Sequence, residues 1–260
     1  MKNLFKLSTY ITLLMLFTTN VLASNKVNEN QCTSKGEEYI FAGGECIQYY
    51  ISEGEVEEEI NIIVHGTWDA GTNTLGRYAP FADNLSMATD ITTIAVALPG
   101  YSNSSTNNFT ALSHKGKRNL TTDKKYIEFL THLIKKIKKV YKADKVNYIG
   151  HSAGAFIGST VTGYSPGLIN TMTSAGAGYK AGNGVSLADY IDNIDKNTEF
   201  LLIYGTKDKI SKPKITKDYY NELNKKGYKV KLVEVVDAPH IDLDMTDISV
   251  EAIVEMLEEE

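Results

Sequence analysis

Cysteine, proline and tryptophan are scarce in this chain of 260 residues, which has two, five and one of them respectively. Two thiols are too few for a disulfide scaffold or a four-thiolate zinc site. Five prolines and 20 glycines exclude a collagen-like or linker-rich organisation. Positive charge is also short. Lys+Arg 27 against Asp+Glu 32 gives a net charge of −5, and the lysine-rich stretch from Lys135 to Lys142 falls on a helical pattern as a solvated face. Binding nucleic acid without regard to sequence takes a positive patch that displaces counterions, so no nucleic-acid partner is expected. Long apolar runs are missing as well. The run Tyr10 to Phe17 is too short for a bilayer core of about 30 Å, which takes about 20 apolar residues. What remains is an ordinary globular composition, 42% hydrophobic and 23% charged, with ample chain to bury a core.

The N-terminal residues have the pattern of an export signal. Lys2 and Lys6 precede the apolar run, and Val21-Leu22-Ala23 places small or apolar residues at a cleavage position. Residues 1–23 are therefore expected to be a signal peptide and residues 24–260 a single domain, periplasmic or secreted, with no membrane span in the mature chain. No cysteine follows the cut, so no lipid anchor is suggested. In an oxidising compartment Cys32 and Cys46 are expected to pair. A loop of that size is worth roughly 3 kcal/mol on chain-entropy grounds.

Beyond the leader, short β-branched runs alternate with longer helical patterns. Asn61 to Val64, Ile91 to Leu98, Val146 to Ile149, Leu168 to Thr173, Phe200 to Tyr204 and Lys229 to Val236 read as strands, with an extended segment at Glu38 to Ala42. Asp123 to Tyr141 carries apolar residues at spacings of three and four, the mark of one buried helix face. Further helices are expected after Ser152, over Thr216 to Lys226 and over Asp247 to Glu259. The alternation predicts an α/β protein, a three-layer α/β/α sandwich around a mostly parallel central sheet of about eight strands. In such sheets the chemistry collects at the carboxyl ends of the strands.

Those ends carry the candidate residues. The strand through Ile149 runs into Gly150-His151-Ser152-Ala153-Gly154, then a helix. A serine on a sharp strand-to-helix turn has strained backbone angles, and its neighbours two before and two after must be tiny. A hydroxyl is a weak nucleophile at neutral pH, so Ser152 needs a base, and the base needs an orienting acid. His240, in the loop after the last strand, is favoured as base. His65 and His151 sit beside the turns and are expected to shape the site; His132 lies within the long helix, and His114 in a polar loop stays open as a candidate. Asp208 closes Gly205-Thr206-Lys207-Asp208, just past another strand end, and is the expected acid. Asp237, Asp242 and Asp244 read as cap or turn residues.

With these motifs the chain resembles an α/β-hydrolase, in the GHSAG turn, the G-x-x-D of Gly205 to Asp208, and the order Ser…Asp…His. Val64-His65-Gly66 resembles the loop supplying half of that family's oxyanion hole, and Leu98-Pro99-Gly100-Tyr101-Ser102 its PGYG-type turn. The likeness runs from about Glu37 to the C-terminus. It implies a serine esterase acting through an acyl-enzyme, with Ser152, His240 and Asp208 as triad and no metal or organic cofactor. The oxyanion donors would be the backbone N–H of Ala153 and of Thr67, with Trp68 or Gly66 as alternatives to the latter. No HGGG-type hole is present, because Thr67 follows His65-Gly66. Ser174 to Thr198 is too short for an inserted cap domain, so the site is expected to be uncapped. Its walls would come from Trp68, Tyr101 and the loop on to Thr121, His151, and Gly176 to Tyr179. Trp68 and Tyr101 can equally be packing residues. The implied partner is a small-molecule or polymeric ester, with no protein partner. A serine peptidase or amidase of the same fold, or an inactive hydrolase-like binding protein, are the competing expectations.

Overall fold

A computed structural model describes residues 26–68, 72–102, 107–110 and 119–258. The expected leader, His114 and most of the loop between Tyr101 and Thr121 lie outside the described residues.

The N-terminal half runs α1 (Glu29–Thr33), β1 (Tyr39–Ala42), β2 (Glu45–Ser52), β3 (Val56–Val64), α2 (Thr74–Thr89), β4 (Ile91–Val96) and α3 (Lys124–Val140). Then follow β5 (Lys145–His151), α4 (Ala153–Tyr164), β6 (Thr171–Ala175), β7 (Glu199–Gly205), α5 (Pro213–Lys225), β8 (Lys229–Val235) and α6 (Asp247–Glu258). Among the described residues the strands form one eight-stranded sheet in the order β1-β2-β4-β3-β5-β6-β7-β8. From β4 to β8 every pairing is parallel, so the carboxyl ends of these strands share one edge. β1 and β2 run antiparallel at the other side, which makes the sheet mixed.

Strand alternation splits the core into two layers. Ile60, Ile62 and Val64 of β3 face a cluster with Tyr126, Phe129 and Leu133 of α3, Ile157 and Val161 of α4, and Tyr219 of α5. Ile63 faces the opposite cluster, with Tyr78, Phe81 and Leu85 of α2 and Ile253, Met256 and Leu257 of α6. Each such side chain contributes on the order of 1.5–3 kcal/mol by leaving water. α3 forms where its apolar stripe predicts. The Asp123 side chain accepts from the Lys125 N–H at its start, and Lys138 and Lys139 sit favourably against the carbonyls of its last turn.

Three elements differ from the sequence expectations. β2 and α2 were not legible as a strand and a helix. The strand expected over Leu168 to Thr173 begins only at Thr171, because Leu168 and Ile169 are buried in the turn leaving α4, where the Leu168 N–H donates to the Ser165 carbonyl. Cys32 and Cys46 are joined by a disulfide that ties α1 to β2, with Cα atoms 5.5 Å apart. Among the described residues no helix is long and apolar enough to cross a membrane.

Candidate active site

β5 ends beneath Ser152, whose φ of 51° and ψ of −114° lie outside the regions an L-residue favours. The turn is held from both sides, since the Ser152 N–H donates to the Ala175 carbonyl and the Ser152 carbonyl accepts from Phe156. Its flanking glycines are demanded by contact. A Cβ on Gly154 would lie 2.1 Å from the Val64 carbonyl oxygen, and one on Gly150 would lie 2.6 Å from the Ala155 Cα. The helix can therefore start directly against β3 and aim the serine off the strand edge.

Asp208 follows β7 and His240 follows β8. These strands are neighbours, and their ends press together so closely that a Cβ on Gly205 would meet the Ala238 carbonyl at 2.3 Å. Across this junction His240 Nδ1 lies 2.7 Å from Asp208 Oδ2, and His240 Nε2 lies 2.8 Å from Ser152 Oγ. Asp208 is buried, and its other oxygen accepts from the Ile210 and Ser211 N–H groups, both at 2.8 Å. The carboxylate can therefore hold one face toward the imidazole without rotating. Gly176, past β6, backs the same ring, with room for no more than a Cβ 3.2 Å from His240 Cε1.

The remaining histidines have other surroundings. His132 is exposed on α3. His65 is 1% exposed; its Nδ1–H donates to the Gly66 carbonyl and its Nε2 accepts from the Leu98 N–H at 2.9 Å. It thus joins the loop after β3 to the one after β4. Burial lowers its pKa to about 4, outweighing the Gly66 hydrogen bond, which favours the charged form.

The rival acids separate by position. Asp237 is exposed, left-handed in its backbone and paired with Lys207 at 3.1 Å, and Asp242 pairs with Arg77. Asp244 departs from the expectation of a simple turn residue. It is buried, and its Oδ1 lies 4.0 Å from His151 Nδ1.

Two expected wall residues need correction. Tyr101 is 4% exposed, edge-on to Tyr126 at 5.7 Å within the core, and burial pushes its phenol up. The reason is the aromatic cluster of Phe109, Tyr126 and Phe129, which draws the ring inward. His151 is also turned inward, its Nε2 2.8 Å from the His240 carbonyl oxygen, and so it offers no open wall. Trp68 is half-buried against the α2–α6 layer, with the Arg77 guanidinium 4.4 Å above its ring. Thr67 is exposed beside it, and Gly66 passes so near the serine that a Cβ there would lie 2.8 Å from Ser152 Cβ. Between β6 and β7 the chain makes two 3₁₀ turns, Leu187–Asp189 and Ile191–Asn193. Among the described residues no cluster of three or more His, Cys, Asp or Glu side chains is placed to hold a metal ion.

No protein-family model matches the chain, and no curated protein matches its sequence. Solved structures do resemble it. Est1E from Butyrivibrio proteoclasticus, with ferulic acid bound, aligns with a TM-score of 0.59 at 13% identity over 85% of this chain and 96% of its own. The esterase PE8 aligns with a TM-score of 0.64 at 13% identity, over 82% of this chain and 98% of that one. A meta-cleavage product hydrolase from Pseudomonas fluorescens IP01 aligns with a TM-score of 0.59 at 14% identity, covering 85% and 97%. The chain has the α/β-hydrolase fold.

Proposed function

We propose that this protein is a serine hydrolase that cleaves carboxylic esters through an acyl-enzyme, with Ser152 as nucleophile, His240 as base and Asp208 as orienting acid. The observation that carries this reading is the unbroken line from Asp208 Oδ2 through the His240 ring to Ser152 Oγ, with gaps of 2.7 and 2.8 Å. His240 Nε2 takes the hydroxyl proton as Ser152 Oγ bonds to the carbonyl carbon, while Asp208 fixes the Nδ1–H tautomer and stabilises the imidazolium. The oxyanion is held by the backbone N–H groups of Ala153 and Thr67, each worth about a hundred- to a thousandfold in rate. His240 then protonates the departing alkoxide. Water, deprotonated by the same imidazole, releases the acid and restores Ser152.

The likeness to Est1E and to PE8 supports an ester as substrate. The protein is read as exported: the Cys32–Cys46 disulfide suits an oxidising compartment, and the leader at residues 1–23 would deliver residues 24–260 there as one domain. The test is hydrolysis of short- and long-chain p-nitrophenyl esters beside a panel of dipeptide amides, with Ser152→Ala as control. Ester turnover lost in the variant is expected. Turnover of amides alone would favour the peptidase reading, and turnover of neither the inactive binding protein.

A further inference from the structure

His151 and Asp244 are buried titratable groups that the chemistry above leaves unused. Keeping such groups out of water costs several kcal/mol unless they are paired, so their presence asks for a task. His151 touches the reacting machinery from behind. It precedes Ser152 in the chain, and its Nε2 lies 2.8 Å from the backbone carbonyl oxygen of His240. A carbonyl can only accept, so that nitrogen carries the proton. The opposite nitrogen, Nδ1, faces Asp244 Oδ1 across 4.0 Å, and the two side chains are 4% and 1% exposed.

Neither of these two atoms has a hydrogen-bond partner among the described residues, nor do Tyr78 Oη and Trp68 Nε1. The four belong to one patch, for Tyr78 lies against both Trp68 and Asp244. Trp68 follows Thr67 in the loop after β3. Asp244 follows His240 by four positions, beyond the left-handed Asp242 that turns the chain back toward the sheet. The patch thus joins, behind the serine turn, the loop after β3 to the loop that carries His240.

We propose that His151 and Asp244 are positioning residues for His240: Asp244 sets the His151 ring so that its Nε2–H holds the His240 backbone. The proposal rests on the reading of Ser152, His240 and Asp208 as the catalytic line. A shift of the His240 backbone would carry its ring away from Ser152, and displacement by about 1 Å can cost a hundredfold in rate. Burial raises the Asp244 carboxyl and its electrostatic interaction with His151 opposes that rise, so the two groups act on one another across the 4.0 Å gap.

The test compares Asp244→Leu, Asp244→Asn and His151→Phe with the native protein. Kinetics on a p-nitrophenyl ester are paired with NMR of the hydrogen-bonded His240 Nδ1–H, observed without substrate. Asp244→Leu and His151→Phe are expected to lower kcat roughly ten- to a hundredfold with KM within about twofold, and to shift or broaden that proton signal. Asp244→Asn, which keeps a polar group of the same shape facing His151 Nδ1, is expected to keep both close to native. If Asp244→Leu does not fold, His151→Phe against Asp244→Asn gives the same contrast. Folded variants with an unmoved Nδ1–H signal overturn the proposal, as does an Asp244→Asn variant as impaired as the leucine. A shifted signal in a protein that turns over no ester would uphold the positioning role and remove the ester reading instead.

Discussion

Acidification should unfold this protein partly through His65, and the size of the effect follows from its surroundings. The Leu98 N–H points at His65 Nε2, and a backbone N–H only donates, so that nitrogen must be unprotonated in the folded chain. Burial moves the pKa from the ordinary 6.5 to about 4. The unfolded chain therefore binds a proton near pH 6.5 that the native state refuses until about pH 4. With the folded pKa depressed, the stabilisation is complete above pH 6.5 and drains away as pH falls toward 4. At 1.36 kcal/mol per unit the interval corresponds to about 3 kcal/mol, a large share of the 5–15 kcal/mol typical of a whole domain. Urea unfolding of the native protein and of His65→Gln, from pH 7.5 to 4, isolates the contribution, since every other titrating group is common to both. The stability advantage of the native protein over the variant should shrink by about 3 kcal/mol on acidification. Parallel stability curves would refute the reasoning and show that the ring is hydrated or freely protonated in the folded state.

Other outcomes can be checked more briefly. Ser152→Gly should raise stability by on the order of 1 kcal/mol in urea melts while abolishing turnover, because the mirror image of the Ser152 angles is ordinary extended backbone that glycine reaches without strain. Gly154→Ala should cost about 3 kcal/mol or more, or fail to yield soluble protein, since its methyl would meet the Val64 and His65 carbonyl oxygens, which are backbone atoms and cannot swing aside. Reducing the Cys32–Cys46 bond should lower stability by roughly 3 kcal/mol in chemical melts and leave kcat nearly unchanged, because it joins α1 to β2, remote in the sheet from β7 and β8. Asp208→Asn should lower kcat by about 10⁴, whereas Asp237→Asn, exposed and paired with Lys207, should stay near native; a silent Asp208 would overturn the acid assignment.

Much of the fold was legible because it is written locally. The stripe at Tyr126, Phe129, Leu130, Leu133, Ile134 and Ile137 specifies α3, and Ser152, Asp208 and His240 each follow an apolar strand run closely enough to be placed on one edge. α2 carries an equally regular buried face, Tyr78, Phe81, Ala82 and Leu85, but Gly76 and Pro80 break its helical signal. Pro80 lies inside this helix, where it has no N–H to give to the Gly76 carbonyl one turn earlier. β2 escaped notice because Tyr49, Tyr50 and Ile51 are only half-buried and show no clean alternation, so the antiparallel edge was not anticipated. The errors in the site have a different origin. Whether Tyr101 faces a cleft or the core depends on Tyr126 and Phe109, and whether Asp244 is a cap or a buried partner depends on His151, far from it in sequence. Such contacts are made by tertiary packing and leave no local mark.

The account turns on Ser152 being an activated nucleophile, and covalent labelling reads that property without assuming a substrate. The native protein, incubated with a fluorophosphonate and analysed by intact mass and peptide mapping, should gain a single adduct on the peptide containing Ser152. That adduct should be absent in Ser152→Ala and form far more slowly in His240→Ala. No adduct, or one on another residue that survives Ser152→Ala, would contradict the account.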